Sequence, residues 1–203
     1  MPVGFIKALA HIKQTAALTN AQLGLLEGDI ANAINDAAQS IIDGQHIEQF
    51  PVDVFQTGSG TSSNMNANEV IATLASQLLG GDINPNDHVN MGQSSNDVVP
   101  TAIQISCVMA VEKQLIPALN HLINALEKKR SEIGAIVKTG RTHLMDAMPV
   151  TFDQELGGWQ FQIEQAKKGI EHALDSVRAL AQGGTAVGTG INADPRFAAK
   201  FAD

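Results

Sequence analysis

Cysteine and aromatic residues are scarce in this chain of 203 residues. It has one cysteine, one tryptophan, seven phenylalanines and no tyrosine. A single cysteine excludes an internal disulfide framework. Cys107 lies in an apolar run, so we expect a buried, inert thiol. With 44% apolar residues and few aromatics, the composition favours helices joined by aliphatic seams over a β-sandwich.

Basic residues are also scarce. The net charge of −8 disfavours nucleic acid and anionic membranes as partners. No Lys or Arg lies between Lys13 and Lys113, whereas eleven Asp and Glu residues do. An anion bound by that interval would need neutral donors, with any cation coming from elsewhere, such as Arg141 or another part of an assembly. We see no signal peptide and no segment that approaches a membrane span.

Apolar periodicity organises most of the chain into helices. It predicts helices over 5–23, 26–43, 64–79, 96–130 and 151–181. Pro117 should kink or locally break the fourth of these helices. Two long amphipathic helices cannot bury their seams alone, so the sequence predicts an all-α fold built around a larger helix bundle.

Three polar stretches come just before, or a short step before, these helices. They are 58–68 (GSGTSSNMNAN), 92–97 (GQSSND) and 139–146 (TGRTHLMD). Hydroxyl and amide groups at helix N-termini bind carboxylates, but Ser and Asn there are also ordinary helix caps. Spacing alone favours neither interpretation: a ligand-binding site and simple helix capping explain these residues about equally well. If the polar stretches only cap helices, the chain would be a helical interaction module.

The third stretch adds chemistry. Arg141 supplies charge, and His143 is either a positioned acid or base or an ordinary loop histidine. The six histidines show no metal-binding spacing, so we expect no metal site. The glycines of 183–190 match no nucleotide-binding pattern, which favours close backbone packing. Together the polar stretches predict an enzyme acting on a small polyanionic acid.

Four segments carry a family resemblance: TGSGTSSNMNANEVIA, NPNDHVNMGQSSNDVVPTAIQIS, KTGRTHLMDAMPVTFDQELGGW and QGGTAVGTGINADPRFA. In this order they resemble the class II fumarate hydratases of the fumarase/aspartase superfamily. The resemblance implies an internal fragment of a longer all-α protein. Residues 1–93 would form part of the N-terminal helical domain, and 94–203 the first long helices of the central bundle. Aspartate ammonia-lyases are similar in the first two stretches and remain an alternative, but typically carry Gln at the position of His143.

The resemblance also implies a reaction and a site. The reaction is the reversible hydration of fumarate to (S)-malate, without metal or cofactor, in a cytoplasmic homotetramer. His143 would act, with a carboxylate partner, on the water that adds to or leaves C2. Each site would form where three subunits meet, with the first two stretches from one chain and His143 from another. The implied substrate-binding residues are Ser59, Gly60, Thr61, Ser94, Ser95, Asn96 and Thr142.

A secondary dicarboxylate site is implied at Asn84, Pro85, Asn86 and Asp87. Class II fumarate hydratases commonly have His at the first of these positions and Arg three residues earlier. This chain has Asn84 and Gly81 there. We therefore expect the secondary site to be weak.

In the family, the serine general base lies on a flexible loop (GSSxMPxKxN) that would follow residue 203. We predict that the purified 203-residue chain shows no measurable hydration of fumarate, because it lacks the group that removes the proton. The assay follows fumarate absorbance with the chain in large excess over any contaminant. Substantial turnover would contradict the assignment of the base.

Overall fold

The computed structural model describes residues 1–56 and 60–203, and it is mostly helical. The helices are α1 (Val3–Gln22), α2 (Gly28–Ile42), α3 (Thr61–Leu79), α4 (Ser95–Ala110), α5 (Ile116–Ile133), α6 (Phe152–Val177) and α7 (Phe197–Ala202). Shorter turns are the 3₁₀ turn Ile47–Gln49 and the π turns Pro85–Val89 and Val111–Leu115. An antiparallel hairpin of β1 (Val137–Thr142) and β2 (Met145–Thr151) is the one sheet in the described part. The predicted all-α class is confirmed.

The chain divides into two compact units. The first contains Met1–Cys107 and Ala179–Asp203, and the second contains Val108–Arg178. In the first unit, α1, α2 and α3 pack around an aliphatic core that is rich in alanine, which lets helix backbones approach closely. Its largest fully buried apolar side chains include Ile6, Leu9, Ile12, Ile34, Ile41 and Ile71. The predicted domain division at 93/94 stays a prediction.

The second unit has little core of its own. It pairs α5 with α6 and carries the hairpin. All of its residues are described, and Leu156 and Leu174 are its only buried apolar side chains. Trp159 and Phe161 are 52% and 61% exposed. The expectation that two such helices cannot bury their apolar faces alone therefore agrees with this unit.

Pro117 is accommodated by a widened turn. The π turn Val111–Leu115 comes directly before α5, in which Pro117 is one of the first two residues. Proline lacks the N–H for an i−4 bond and its ring crowds that carbonyl, so a local change of helix type relieves both problems. The break predicted at this proline thus takes the form of a π turn.

Two expectations for this helical stretch need correction. Cys107 is exposed rather than buried, on the same side of α4 as Ile103, which is 55% exposed. The helix Ser95–Ile133 also contains an 18-residue window with a mean hydropathy of 1.2, of which 6% is buried, so by length and composition it could cross a membrane. Both results have one cause: this apolar stretch has little cover within the chain.

The start of α6 offers a test of local stability. The Thr151 hydroxyl accepts the N–H of Gln154 at 3.2 Å, and the Gln154 side chain accepts the N–H of Thr151 at 2.9 Å. Thr151→Ala removes half of this capping box and should lower the free energy of unfolding by about 1 kcal/mol. Denaturant unfolding measures the change. Thr151→Ser keeps the hydroxyl and is the control; an equal loss in both variants would show that the methyl group, not the cap, matters.

Candidate functional site

The first polar stretch ends in a helix start that requires glycine. Helix α3 begins at Thr61, three residues before the predicted position, with Gly60 as its N-cap in the left-handed region at φ 76°. A Cβ at Gly60 would lie 2.9 Å from Cγ1 of Val99. Conformation and space both exclude a side chain there. Thr61 is exposed in the first turn. Ser59, predicted to bind substrate, lies outside the described residues.

The second polar stretch contains the N-terminal cap of helix α4. The Ser94 hydroxyl accepts the N–H of Asn96 at 3.2 Å, and the Asp97 carboxylate accepts the N–H of Ser94 at 2.9 Å. Ser94 is therefore a helix cap, as the simpler interpretation predicted. Ser95 takes no part in this reciprocal cap. The Asn96 side chain donates to the carbonyl oxygen of Ala186 at 2.8 Å.

Asp97 connects the start of α4 to the glycine-rich segment. It is 1% exposed, and its second carboxylate oxygen accepts the N–H groups of Gly183 at 3.2 Å and Thr185 at 2.8 Å. Gly183 has φ 95°, and a Cβ there would lie 2.6 Å from Cβ of Ala198. Close backbone packing is therefore the role of these glycines, as predicted. From sequence, Asp97 was expected only to favour the first helical turn.

Lys13 of helix α1 contacts side chains at and just before the second polar stretch. It is fully buried, and its ammonium donates to Oδ1 of Asn90 at 2.8 Å and Oε1 of Gln93 at 2.9 Å. A cation from outside the interval was expected, with Arg141 or another part of an assembly as candidates; Lys13, at the edge of that interval, was not considered. The sequence did contain a sign of this: Lys13 falls within the apolar seam of α1, beside Leu9 and Ile12.

Burial changes the protonation of Lys13. Desolvation lowers the pKa of its ammonium to about 7, and the negative charge of Asp97 opposes that shift. Among the described residues, no carboxylate oxygen lies within 4.0 Å of Nζ of Lys13. The ammonium therefore meets neutral amide oxygens rather than a counter-ion.

Asn64 joins the two polar stretches. It is 2% exposed, and its amide nitrogen donates to Oδ1 of Asn90 at 3.3 Å and to Oγ of Ser95 at 3.1 Å. Its own Oδ1 is buried and has no hydrogen-bond partner among the residues described. Gly60, Thr61, Ser94, Ser95 and Asn96 thus belong to one unit in which the two helix starts are cross-linked.

The turn predicted as a secondary site is organised by Asn84. Its side chain accepts the N–H groups of Asn86 at 2.8 Å and Asp87 at 3.0 Å, and so caps the π turn that begins at Pro85. The backbone N–H of Asn84 donates to Nδ1 of His88 at 3.0 Å. The Asn84 carboxamide oxygen is therefore engaged within the turn. Dicarboxylate binding there stays a prediction.

The third polar stretch is a hairpin rather than a loop. Strand β1 ends at Thr142, and His143 and Leu144 form a two-residue turn before Met145. Their φ angles are 51° and 61°, the pattern of a type I′ turn. Such turns usually contain Asn or Gly, and neither is present at these two positions, so the turn could not be predicted from its residues. Thr142 and His143 are both exposed in this chain.

Arg141 and Asp146 pair across the hairpin. Nε of Arg141 lies 3.4 Å from the Asp146 carboxylate across the two strands, and both side chains are exposed. In the described part of the chain, no carboxylate hydrogen-bonds to His143, and no group of three or more His, Cys, Asp or Glu is placed to hold a metal ion. The carboxylate partner of His143 stays a prediction.

Comparison with known proteins identifies the family. A family profile described as Lyase matches residues 3–203, and the chain belongs to that family. It is 56% identical over 201 residues to a protein of Pseudomonas aeruginosa named fumarate hydratase class II 2. That match covers 99% of this chain and 44% of the relative. It is 58% identical to fumarate hydratase class II of Xylella fastidiosa, over 97% of this chain and 42% of the relative.

Solved structures agree with the sequence relatives. A class II fumarase from Schistosoma mansoni superposes with a TM-score of 0.96 at 44% identity, covering 99% of this chain and 43% of that one. A fumarate lyase:delta crystallin from Brucella melitensis, in native form, superposes with a TM-score of 0.84 at 42% identity. That match covers 90% of this chain and 44% of the other. The predicted fumarase/aspartase fold is confirmed. The chain spans less than half the length of the relatives it matches.

The buried ammonium makes stability depend on pH. Below pH 7 the folded and unfolded states both bind the Lys13 proton. Between the folded pKa of about 7 and the ordinary value of 10.5, only the unfolded state retains it, so this contribution to stability rises with pH. Relative to Lys13→Met, wild type should gain about 2 kcal/mol between about pH 7.5 and 9.5.

Denaturant unfolding of both proteins across this pH range measures the gain. Ala16→Gly, in the next turn of α1, removes no ionisable group, so its offset from wild type should stay constant with pH. Parallel curves for wild type and Lys13→Met would show that burial does not lower the pKa of Lys13.

Proposed function

We propose that this chain forms part of a class II fumarate hydratase, which adds water to fumarate and removes it from (S)-malate. The observation that carries the proposal is the identity of 50–58% to proteins named fumarate hydratase class II over nearly the whole chain. The geometry supports it, because two cross-linked helix starts present neutral donors suited to a small dicarboxylate.

Substrate carboxylates are bound at those helix starts. Ser95 and Asn96 occupy the first turn of α4, and Thr61 occupies the first turn of α3 beside Gly60. Ser94 shapes the α4 turn by capping it. Ser59 and Thr142 complete the proposed set by resemblance to the family.

Catalysis requires charge to be stabilised next to a carboxylate. In the dehydration direction a proton passes from C3 of malate to the serine base that the family resemblance implies, the electron pair is delocalised into the adjacent carboxylate, and hydroxide leaves C2. Donors already fixed by hydrogen bonds stabilise that charge with little reorganisation. In this proposal His143 protonates the departing hydroxide and, in reverse, removes a proton from the attacking water.

The exposure of the hairpin supports assembly from several chains. Leu144 and Met148 are 97% and 80% exposed, and Val137 is 63% exposed. Several large apolar side chains exposed along one hairpin are typical of a surface that another protein surface covers. In the proposed homotetramer of the cytoplasm, the hairpin carries His143 into a site whose helix starts belong to another subunit.

Two substitutions in the full-length gene product test the site. His143→Asn should lower kcat for fumarate hydration by roughly 100-fold or more, because it removes an acid–base group. Ser95→Ala should lower kcat/KM by roughly tenfold or more, because a charge-assisted hydrogen bond to substrate is lost. Steady-state kinetics with fumarate, and with aspartate in parallel, measures both effects.

The matched controls are His172→Asn, an exposed histidine of α6, and Ser106→Ala, a serine of α4 whose hydroxyl donates to the carbonyl of Ile103. Both should retain wild-type kinetics. If the polar stretches only cap helices, Ser95→Ala and His143→Asn would leave turnover intact and reduce stability alone. Turnover of aspartate in place of fumarate would support an ammonia-lyase.

A further inference from the structure

We infer that Lys13 is a positioning residue for the carboxylate-binding donors. Its buried ammonium fixes the side chains of Asn90 and Gln93, and through Asn64 it orients the Ser95 hydroxyl. It also supplies the positive charge that the first two polar stretches lack. This inference rests on the proposed function, because it assigns the element that prepares the same site. Neither the resemblance nor the names of the relatives assigns Lys13 a role.

The Lys13 ammonium contacts two side chains that come just before α4. Lys13 donates to the side-chain oxygens of Asn90 at 2.8 Å and Gln93 at 2.9 Å. Those carboxamides then donate to the backbone: Asn90 to the Gln93 carbonyl at 3.3 Å, and Gln93 to the carbonyls of Val89 and Met91 at 3.1 and 3.3 Å. One buried charge therefore holds the backbone that leads into Ser94 and Ser95.

The Asn64 amide sets the direction of the Ser95 hydroxyl. Oδ1 of Asn90 accepts from both Lys13 and Asn64, which fixes the Asn64 amide with its nitrogen toward Ser95. That amide nitrogen donates to Oγ of Ser95 at 3.1 Å. A hydroxyl oxygen that accepts this bond still has its own hydrogen to donate. Ser95 is thus arranged as a donor at the start of α4, where a carboxylate is the favoured acceptor.

The first two polar stretches contain no basic residue of their own. No Lys or Arg lies between Lys13 and Lys113, yet both helix starts of the first unit fall in that interval. Asp97, whose negative charge acts on Lys13, directs its oxygens to the N–H groups of Ser94, Gly183 and Thr185 rather than to the ammonium. An unpaired cation in a low-dielectric interior attracts an anion strongly. Below pH 7, where the folded chain keeps Lys13 protonated, a dicarboxylate at the helix starts would benefit from that attraction.

A buried, unpaired lysine also needs explanation on stability grounds. Burying a charge costs free energy that an apolar side chain of the same shape avoids. The adjoining Oδ1 of Asn64 is buried and lacks a partner among the described residues, so the cluster is not saturated by the protein alone. Features that cost stability in this way are typical of functional sites.

The test uses the full-length gene product below pH 7, where the folded chain keeps Lys13 protonated, and two substitutions that change the charge differently. Lys13→Met removes both the charge and its tethers while keeping the shape. Asn90→Asp keeps an acceptor for Lys13 and Asn64 but places a carboxylate against the ammonium. Both should raise KM for fumarate by roughly tenfold or more and lower kcat by a smaller factor, because the effect is on carboxylate binding.

Ala16→Gly is the control for a general weakening of α1, one turn beyond Lys13. It should lower the melting temperature while KM stays within twofold of wild type. A raised KM in Ala16→Gly would overturn the inference, since helix stability would then explain the result. An unchanged KM in Lys13→Met would overturn it as well, and an unchanged KM in Asn90→Asp would overturn the contribution of charge.

Calorimetric titration with succinate, an unreactive dicarboxylate, separates this inference from the proposed function. If wild type does not hydrate fumarate, the proposed function fails, and the succinate affinities of wild type and Lys13→Met still decide on Lys13. An affinity reduced roughly tenfold in Lys13→Met supports the inference. Equal affinities, or a wild-type protein that binds no succinate, overturn it.

Discussion

Hydrogen bonds from the buried ammonium of Lys13 organise the side chains that connect the starts of α3 and α4 in the first unit. A charge removed from water needs partners close by, and here the partners are the side chains of Asn90 and Gln93. Those side chains in turn hold the turn before α4, and Asn64 extends the cluster to α3. Asp97 also fixes the start of α4, because its carboxylate accepts the N–H groups of Ser94 and Thr185. Two helix N-termini are thereby held in one arrangement before any ligand arrives.

Helix positions were predictable because apolar periodicity is a local property. The predicted helix over 26–43 is observed as Gly28–Ile42, and the predicted helix over 5–23 as Val3–Gln22. Helix α3 starts three residues early because Gly60 serves as the cap. The hairpin could not be predicted, since its register comes from pairing between strands and its turn lacks the usual residues. Exposure of Cys107 also escaped prediction, because it depends on which face of α4 finds cover.

Candidate ligand-binding positions were visible in the sequence, whereas the groups that support them were not. Ser95 and Asn96 stand out because hydroxyl and amide groups before a helix have a local meaning. Lys13 acts on residues 77 and 80 positions away, and Asp97 on residues 86 and 88 positions away. Contacts at such separations arise only from tertiary packing. Charge counting along the chain consequently missed a cation that lies directly beneath the second polar stretch.

The tip of the hairpin shows how the fold treats His143. A type I′ turn places both central residues at positive φ, where Gly and Asn have the least strain. This chain places His143 and Leu144 there, at φ 51° and 61°, and leaves both exposed. Strained backbone of this kind persists where the surroundings enforce it, and it is concentrated at functional sites. Glycine at position 143 would relieve the strain but would remove the imidazole to which the proposed function assigns proton transfer.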